Sequence, residues 1–93
     1  MMVLTLHIRH EGSHQYLARV FDGKVQVGVA TLHARIDEAI AAYGTRGSQL
    51  FPGVTAFAIW YGGWSIGTKP LAQMEDEAAL LANRLVVLSA VVR

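Results

Sequence analysis

Residues 3–30 alternate apolar and polar side chains with a period of two, a rhythm that half-buried antiparallel strands satisfy and helices do not. Leu4, Leu6 and Ile8 alternate with Thr5, His7 and Arg9, and Tyr16, Ala18 and Val20 alternate with Leu17 and Arg19. Asp22-Gly23, a favoured pair for a two-residue type I′ turn, then leads into residues 24–30. Closing the chain there sets Val20 opposite Val25, Ala18 opposite Val27 and Tyr16 opposite Val29 on one apolar face. Arg19 then meets Gln26, and Phe21 meets Lys24, on the other. In the preceding hairpin, pairing Ile8 with Tyr16 and Leu6 with Ala18 keeps that face inward. It leaves Glu11-Gly12-Ser13 as the loop and predicts His10 directly opposite His14.

Beyond the strands the period changes. Leu32, Ile36, Ala39, Ile40 and Tyr43 recur at helical spacing, which predicts a helix over 32–43 with Thr31 as N-cap and Gly44 as its stop. Residues 44–53, with three glycines and Pro52, read as a loop. Residues 54–61 read as a strand that Gly62-Gly63 turns back into 64–68, pairing Tyr61 with Trp64 and Ile59 with Ile66. Pro70 opens a last helix with Glu75, Asp76 and Glu77 early in it, where the helix dipole favours negative charge. Met74, Ala78, Leu81, Leu85, Leu88 and Val92 form its apolar stripe. The expected fold is therefore a single α+β domain over residues 1–93, an antiparallel sheet with two helices in the order β-β-β-α-β-β-α. The alternative makes the valine-rich residues 85–92 a strand after a shorter helix, a ferredoxin-like order with an extra N-terminal hairpin.

The chain is 53% hydrophobic and 16% charged. A domain of this size has much surface for its volume, so part of that apolar content must meet solvent or a partner, and homo-oligomerisation is expected. A net charge of +1 supplies no strong field toward nucleic acid or anionic lipid. Absence of cysteine excludes disulfides, thiolate zinc sites and a thiol nucleophile. No signal-peptide pattern opens the chain, and the apolar tract 78–92 is short and broken by Asn83 and Arg84; a cytoplasmic location without membrane insertion is expected.

Several motifs invite chemistry. Gly63-Trp64-Ser65-Ile66-Gly67 matches the G-x-S-x-G of a nucleophile elbow, but its serine falls inside a predicted hairpin strand and no histidine follows it. Gly44-Thr45-Arg46-Gly47 has the shape of the GXXG nucleotide clamp of KH domains, yet Pro52 denies it the following helix. Residues 2–43, three strands and a helix with Thr31-Leu32 and Glu38-Ala39-Ile40, resemble in layout the β-β-β-α half of HicB-type antitoxins, without that family's Pro-Gly-containing segment before the helix. The resemblance implies a dimeric partner-binding protein with no catalysis of its own.

Three functional expectations follow. The leading one is a non-enzymatic interaction domain that self-associates or binds a protein partner through its aromatic hairpin, with Trp60, Trp64 and Tyr61 at the interface, or through its apolar last helix. This reading needs no cofactor. The second gathers His10, His14, His33 and Asp37 around a divalent metal, whose bound water would support hydrolysis. The third reads Arg9, Arg19, Lys24 and His7 beside Phe21, Trp60 and Tyr61 as a weak single-stranded nucleic-acid surface.

Overall fold

Strands β1 (Met2–Gly12), β2 (Gln15–Asp22) and β3 (Val25–His33) lead into helix α1 (Ile36–Leu50) in the computed structural model, which describes residues 2–91. Strands β4 (Val54–Tyr61) and β5 (Trp64–Pro70) follow, then helices α2 (Leu71–Asp76) and α3 (Ala78–Val91). The strands form one sheet in the order β3-β2-β1-β4-β5. All three predicted hairpins, β1–β2, β2–β3 and β4–β5, are antiparallel, but β1 and β4 run parallel, so the sheet is mixed rather than purely antiparallel. The reason is topological. A helix returns the chain to the end of the sheet where the preceding strand began. The strand after α1 therefore runs like β3, which in a meander also runs like β1.

Helices cover only one face of this sheet. Leu4, Leu6 and Ile8 of β1, Ala18 and Val20 of β2, and Phe57 and Ile59 of β4 form one apolar layer. Ile36, Ala39, Ile40 and Tyr43 of α1, Met74 of α2, and Leu81 and Leu85 of α3 close over it. Each fully buried side chain of this size contributes roughly 1.5–3 kcal/mol.

Both N-terminal registers lie two residues from the expected ones at their turns, the second growing to four beyond a bulge, and the inward face survives because each shift is even. Leu6 pairs with Val20, Ile8 with Ala18, and His10 with Tyr16. Ser13 and His14 make the turn, His14 with a left-handed φ of 55°. In the next hairpin Asp22 pairs with Val25, so Gly23-Lys24 rather than Asp22-Gly23 occupies the corner. Val20 meets Val27, and a bulge then brings Ala18 opposite Thr31 and Tyr16 opposite His33. Val29 falls in that bulge instead of facing Tyr16 and is 85% exposed. Gly28 makes the bulge, at φ 71°, with the Phe51 ring against it.

The extra residues carry β3 through Leu32 and His33, so α1 starts later than helical spacing suggests, and Thr31 is a strand residue rather than its N-cap. Asp37 and Glu38 occupy the first helical turn, where the dipole favours them, and Glu38 accepts the Ala34 N–H at 3.2 Å. The helix also runs on through Gly44 and Gly47, both buried. At Gly44 a Cβ would lie 2.7 Å from the Glu75 nitrogen and 2.8 Å from the Met74 Cβ. Here glycine permits contact between α1 and α2, and Gly44-Thr45-Arg46-Gly47 is a packing element inside a helix. The expected single last helix is broken at Glu77, where φ −120° and ψ 28° leave the helical region. Residues 85–91 are helical, which removes the alternative strand; Val92 lies outside the described residues.

Tyr61 pairs with Trp64 as the turn chemistry predicts, but a bulge pairs Ile59 with Gly67 instead of Ile66. Ser65 fills this bulge: its hydroxyl donates to the Ile59 carbonyl and accepts the Gly67 N–H, each at 3.0 Å.

Candidate functional site

The outward side of α3 is the first of three surfaces with functional content. Leu81, Ala82 and Leu85 turn inward, as the core requires. The opposite arc carries Ala79, Leu80, Val86, Val87 and Ala90, interrupted only by Asn83 and Arg84. Leu80, Val86 and Val87 are each close to half exposed. An amphipathic helix on a protein surface should be polar there, and α3 is apolar there apart from Asn83 and Arg84. It stands as a ridge between two grooves. One, of about 430 Å³, is shared with His14, Tyr16, Arg35 and Asp37; the other, of about 450 Å³, runs beside Ile66. Asn83 lines both.

The sheet face away from the helices is the second. Cross-strand pairing sets His7 between Arg19 on β2 and Trp60 on β4. In neighbouring rows Thr5 lies between Phe21 and Ala58, and Leu17 lies between Arg9 and Leu32. The Arg19 guanidinium sits 5.4 Å from the centre of the Phe21 ring, a cation–π contact. Arg9 forms an ion pair with Glu11 at 2.7 Å. His7 Nε2 donates to the Gly62 carbonyl at 3.0 Å, which leaves Nδ1 as the bare nitrogen of the neutral ring. That Nδ1 and the Arg19 Nε are buried without a hydrogen-bond partner.

A smaller recess on the helix side of β3, about 70 Å³, is lined by Thr31, His33, Tyr43, Arg46, Ala42 and Leu50. The Thr31 hydroxyl lies 2.8 Å from His33 Nε2 and 2.9 Å from the Tyr43 hydroxyl, linking three side chains in a row. Burial pushes the His33 imidazole below its ordinary 6.5, against the opposing pull of Glu38.

The four residues expected to hold a metal are dispersed. His10 stacks against Tyr16 with ring centres 5.0 Å apart, because the two-residue register shift removes it from His14. His14 occupies the turn and shares the first α3 groove with Asp37, whose carboxylate pairs with Arg35 at 2.7 Å. His33 is engaged with Thr31 in a different recess. Among the described residues, no three His, Asp or Glu side chains approach closely enough to share an ion. The expected aromatic interface is split as well. Trp60 lies on the uncovered face, whereas Tyr61 and Trp64 pair on the helix side, where Tyr61 packs on the core and stacks with Tyr16 at 6.3 Å. Of the basic cluster, Arg9, Arg19 and His7 do share a face with Phe21 and Trp60, while Lys24 sits in the turn.

Sequence reasoning singled out α3 as apolar but not the residues that protrude from it, and it set Leu32 on the inward side of the first helix, whereas Leu32 is an exposed residue of β3 beside Leu17. The signal for the first was present: a stripe needs three or four apolar residues in seven, and residues 78–91 carry far more. No helix among the described residues is long and apolar enough to cross a membrane. No protein-family model matches the chain, and no similarity was found to curated proteins or to solved structures.

Proposed function

We propose that this chain is an interaction domain whose binding role begins with self-association through the outward side of α3. One observation carries the reading: α3 presents Leu80, Val86 and Val87 to solvent although its inward side already satisfies the core. Apolar residues scattered singly over a surface need no explanation, but a contiguous helical stripe of them is a surface awaiting a partner. A second copy answers it by symmetry: the ridge has a groove on either side, so two copies related by a two-fold axis can seat each ridge in the other's groove beside Ile66. Arg84 is the one charged residue on the stripe and in the groove beside Ile66, so seating there desolvates little charge, whereas the other groove would also cover Arg35 and Asp37. The reading assigns a binding role and no catalytic step.

Sedimentation velocity between about 1 and 100 μM tests it, since a self-association of this kind follows mass action. The expected result is a concentration-dependent dimer that Val86→Glu/Val87→Glu converts to monomer with the far-UV spectrum unchanged. A wild-type chain that stays monomeric at the highest concentration refutes the proposal.

A further inference from the structure

We infer that the uncovered sheet face is a second, separate site, which takes single-stranded nucleic acid with bases stacked on Trp60 and on the Arg19–Phe21 platform. The face combines the planar side chains of Trp60 and Phe21 with the Arg19 guanidinium near its centre, the pairing such ligands need. Strand spacing sets Arg19 and Trp60 about 10 Å apart, with His7 between them. Arg19 is already held against Phe21, so little freedom is lost when a base or phosphate docks.

Charge decides between ligands. Of the seven acidic residues, Asp37, Glu38, Glu75, Asp76 and Glu77 lie in or beside the helices, and Asp22 lines a recess with core residue Leu4. Only Glu11 is on this face, and Arg9 holds it. A second copy docked through this same face therefore brings Arg19 no free carboxylate, only another guanidinium. A polynucleotide brings a phosphate with every base, and the near-neutral net charge makes the binding weak and salt-dependent.

The test is fluorescence anisotropy of labelled 12-residue oligouridylate and oligodeoxythymidylate titrated with the intact chain at about 20 mM salt. Saturable binding is expected, with log affinity falling against log salt by about 0.7 for each phosphate engaged. Trp60→Ala should weaken it about tenfold or more, and Arg19→Gln should flatten the salt dependence. Oligonucleotide should quench tryptophan emission in wild type and in Trp64→Phe but not in Trp60→Phe, a readout independent of affinity. Val86→Glu/Val87→Glu should bind as wild type does, which separates this site from the one on α3. The inference is overturned by absence of binding at about 100 μM protein and low salt, or by undiminished binding in Trp60→Ala and Arg19→Gln. It is equally overturned if those two variants dissociate a wild-type dimer, which would give the face to a second copy.

Discussion

Replacing Gly44 by alanine should destabilise the protein, although alanine is the better helix former. In an exposed helix interior the exchange gains about 1 kcal/mol. At Gly44 the added methyl would stand 2.7 Å from the Glu75 nitrogen, 2.8 Å from the Met74 Cβ and 3.0 Å from the Leu71 carbonyl oxygen. Two of these atoms are backbone and the third is bonded to it, so relief requires α2 to move away from α1. Met74 would leave the core with it, and it is fully buried. Overpacking of this kind typically costs about 1–3 kcal/mol, and a contact with backbone belongs at the upper end. The net loss is then about 2 kcal/mol, or roughly 8–16 °C in Tm for a domain of this length. Gly47→Ala is the matched control. Its methyl would meet Leu71 Cδ2 and Phe57 Cε2 at 3.0 Å; the half-buried Leu71 can turn aside and the buried Phe57 ring need give only slightly, with no backbone atom in the way. It should melt within a few degrees of wild type. Thermal melts by circular dichroism, with urea titrations followed by tryptophan emission, measure both. A Gly44→Ala variant as stable as wild type, or one no worse than Gly47→Ala, would refute the close-contact reading of α1 and α2.

Two further outcomes can be measured on the same protein. Ser65→Ala removes both hydrogen bonds that brace the β4–β5 bulge and should cost about 1 kcal/mol in urea titration, since solvent can rescue the exposed Gly67 N–H. For His33, burial lowers the folded-state pKa below 6.5, so the unfolded chain binds the extra proton first as pH falls. The neutral ring's contribution is full above the unfolded value and is lost on acidification through the window between the two pKa values. Melts taken from pH 7.5 down to 5 should therefore decline, and His33→Gln should decline less; equal slopes would exclude His33 as the source.

Much of the architecture was legible because period and turn residues are local signals. The alternation of Leu4, Leu6 and Ile8 against Thr5, His7 and Arg9 marks the buried face correctly, and Gly62-Gly63 fixes the Tyr61–Trp64 pair. Alternation alone fixes the parity of a register but not its value. Two residues of slip therefore passed unseen at both N-terminal turns, and the expected juxtaposition of His10 and His14 went with them. The bulge at Gly28 was illegible for another reason: what holds it is Phe51, more than twenty residues away and at the end of α1. Gly44 misled in the opposite direction. Its helix-ending propensity is real, but contact with α2 overrides it. The parallel placement of β4 beside β1 depends on where α1 returns the chain, which no short window encodes. For the candidate sites, the grouping of Arg9, Arg19 and His7 with Trp60 followed from alternation, whereas the loss of Tyr61 and Trp64 to the other side follows from the same rule applied to β4.

The central position of β1 bears on the order in which the chain can assemble. It is the earliest strand to leave a ribosome, and its hairpin with β2 can close over a short loop at little entropic cost. Its other edge stays bare until β4 emerges some fifty residues later. During that interval the nascent meander exposes a row of unpaired amides beside a greasy surface, the combination that invites a neighbouring chain to add itself. Slowing translation across α1 should therefore raise the fraction lost to aggregation, whereas β4 supplied in trans as a peptide should compete for that edge and lower it.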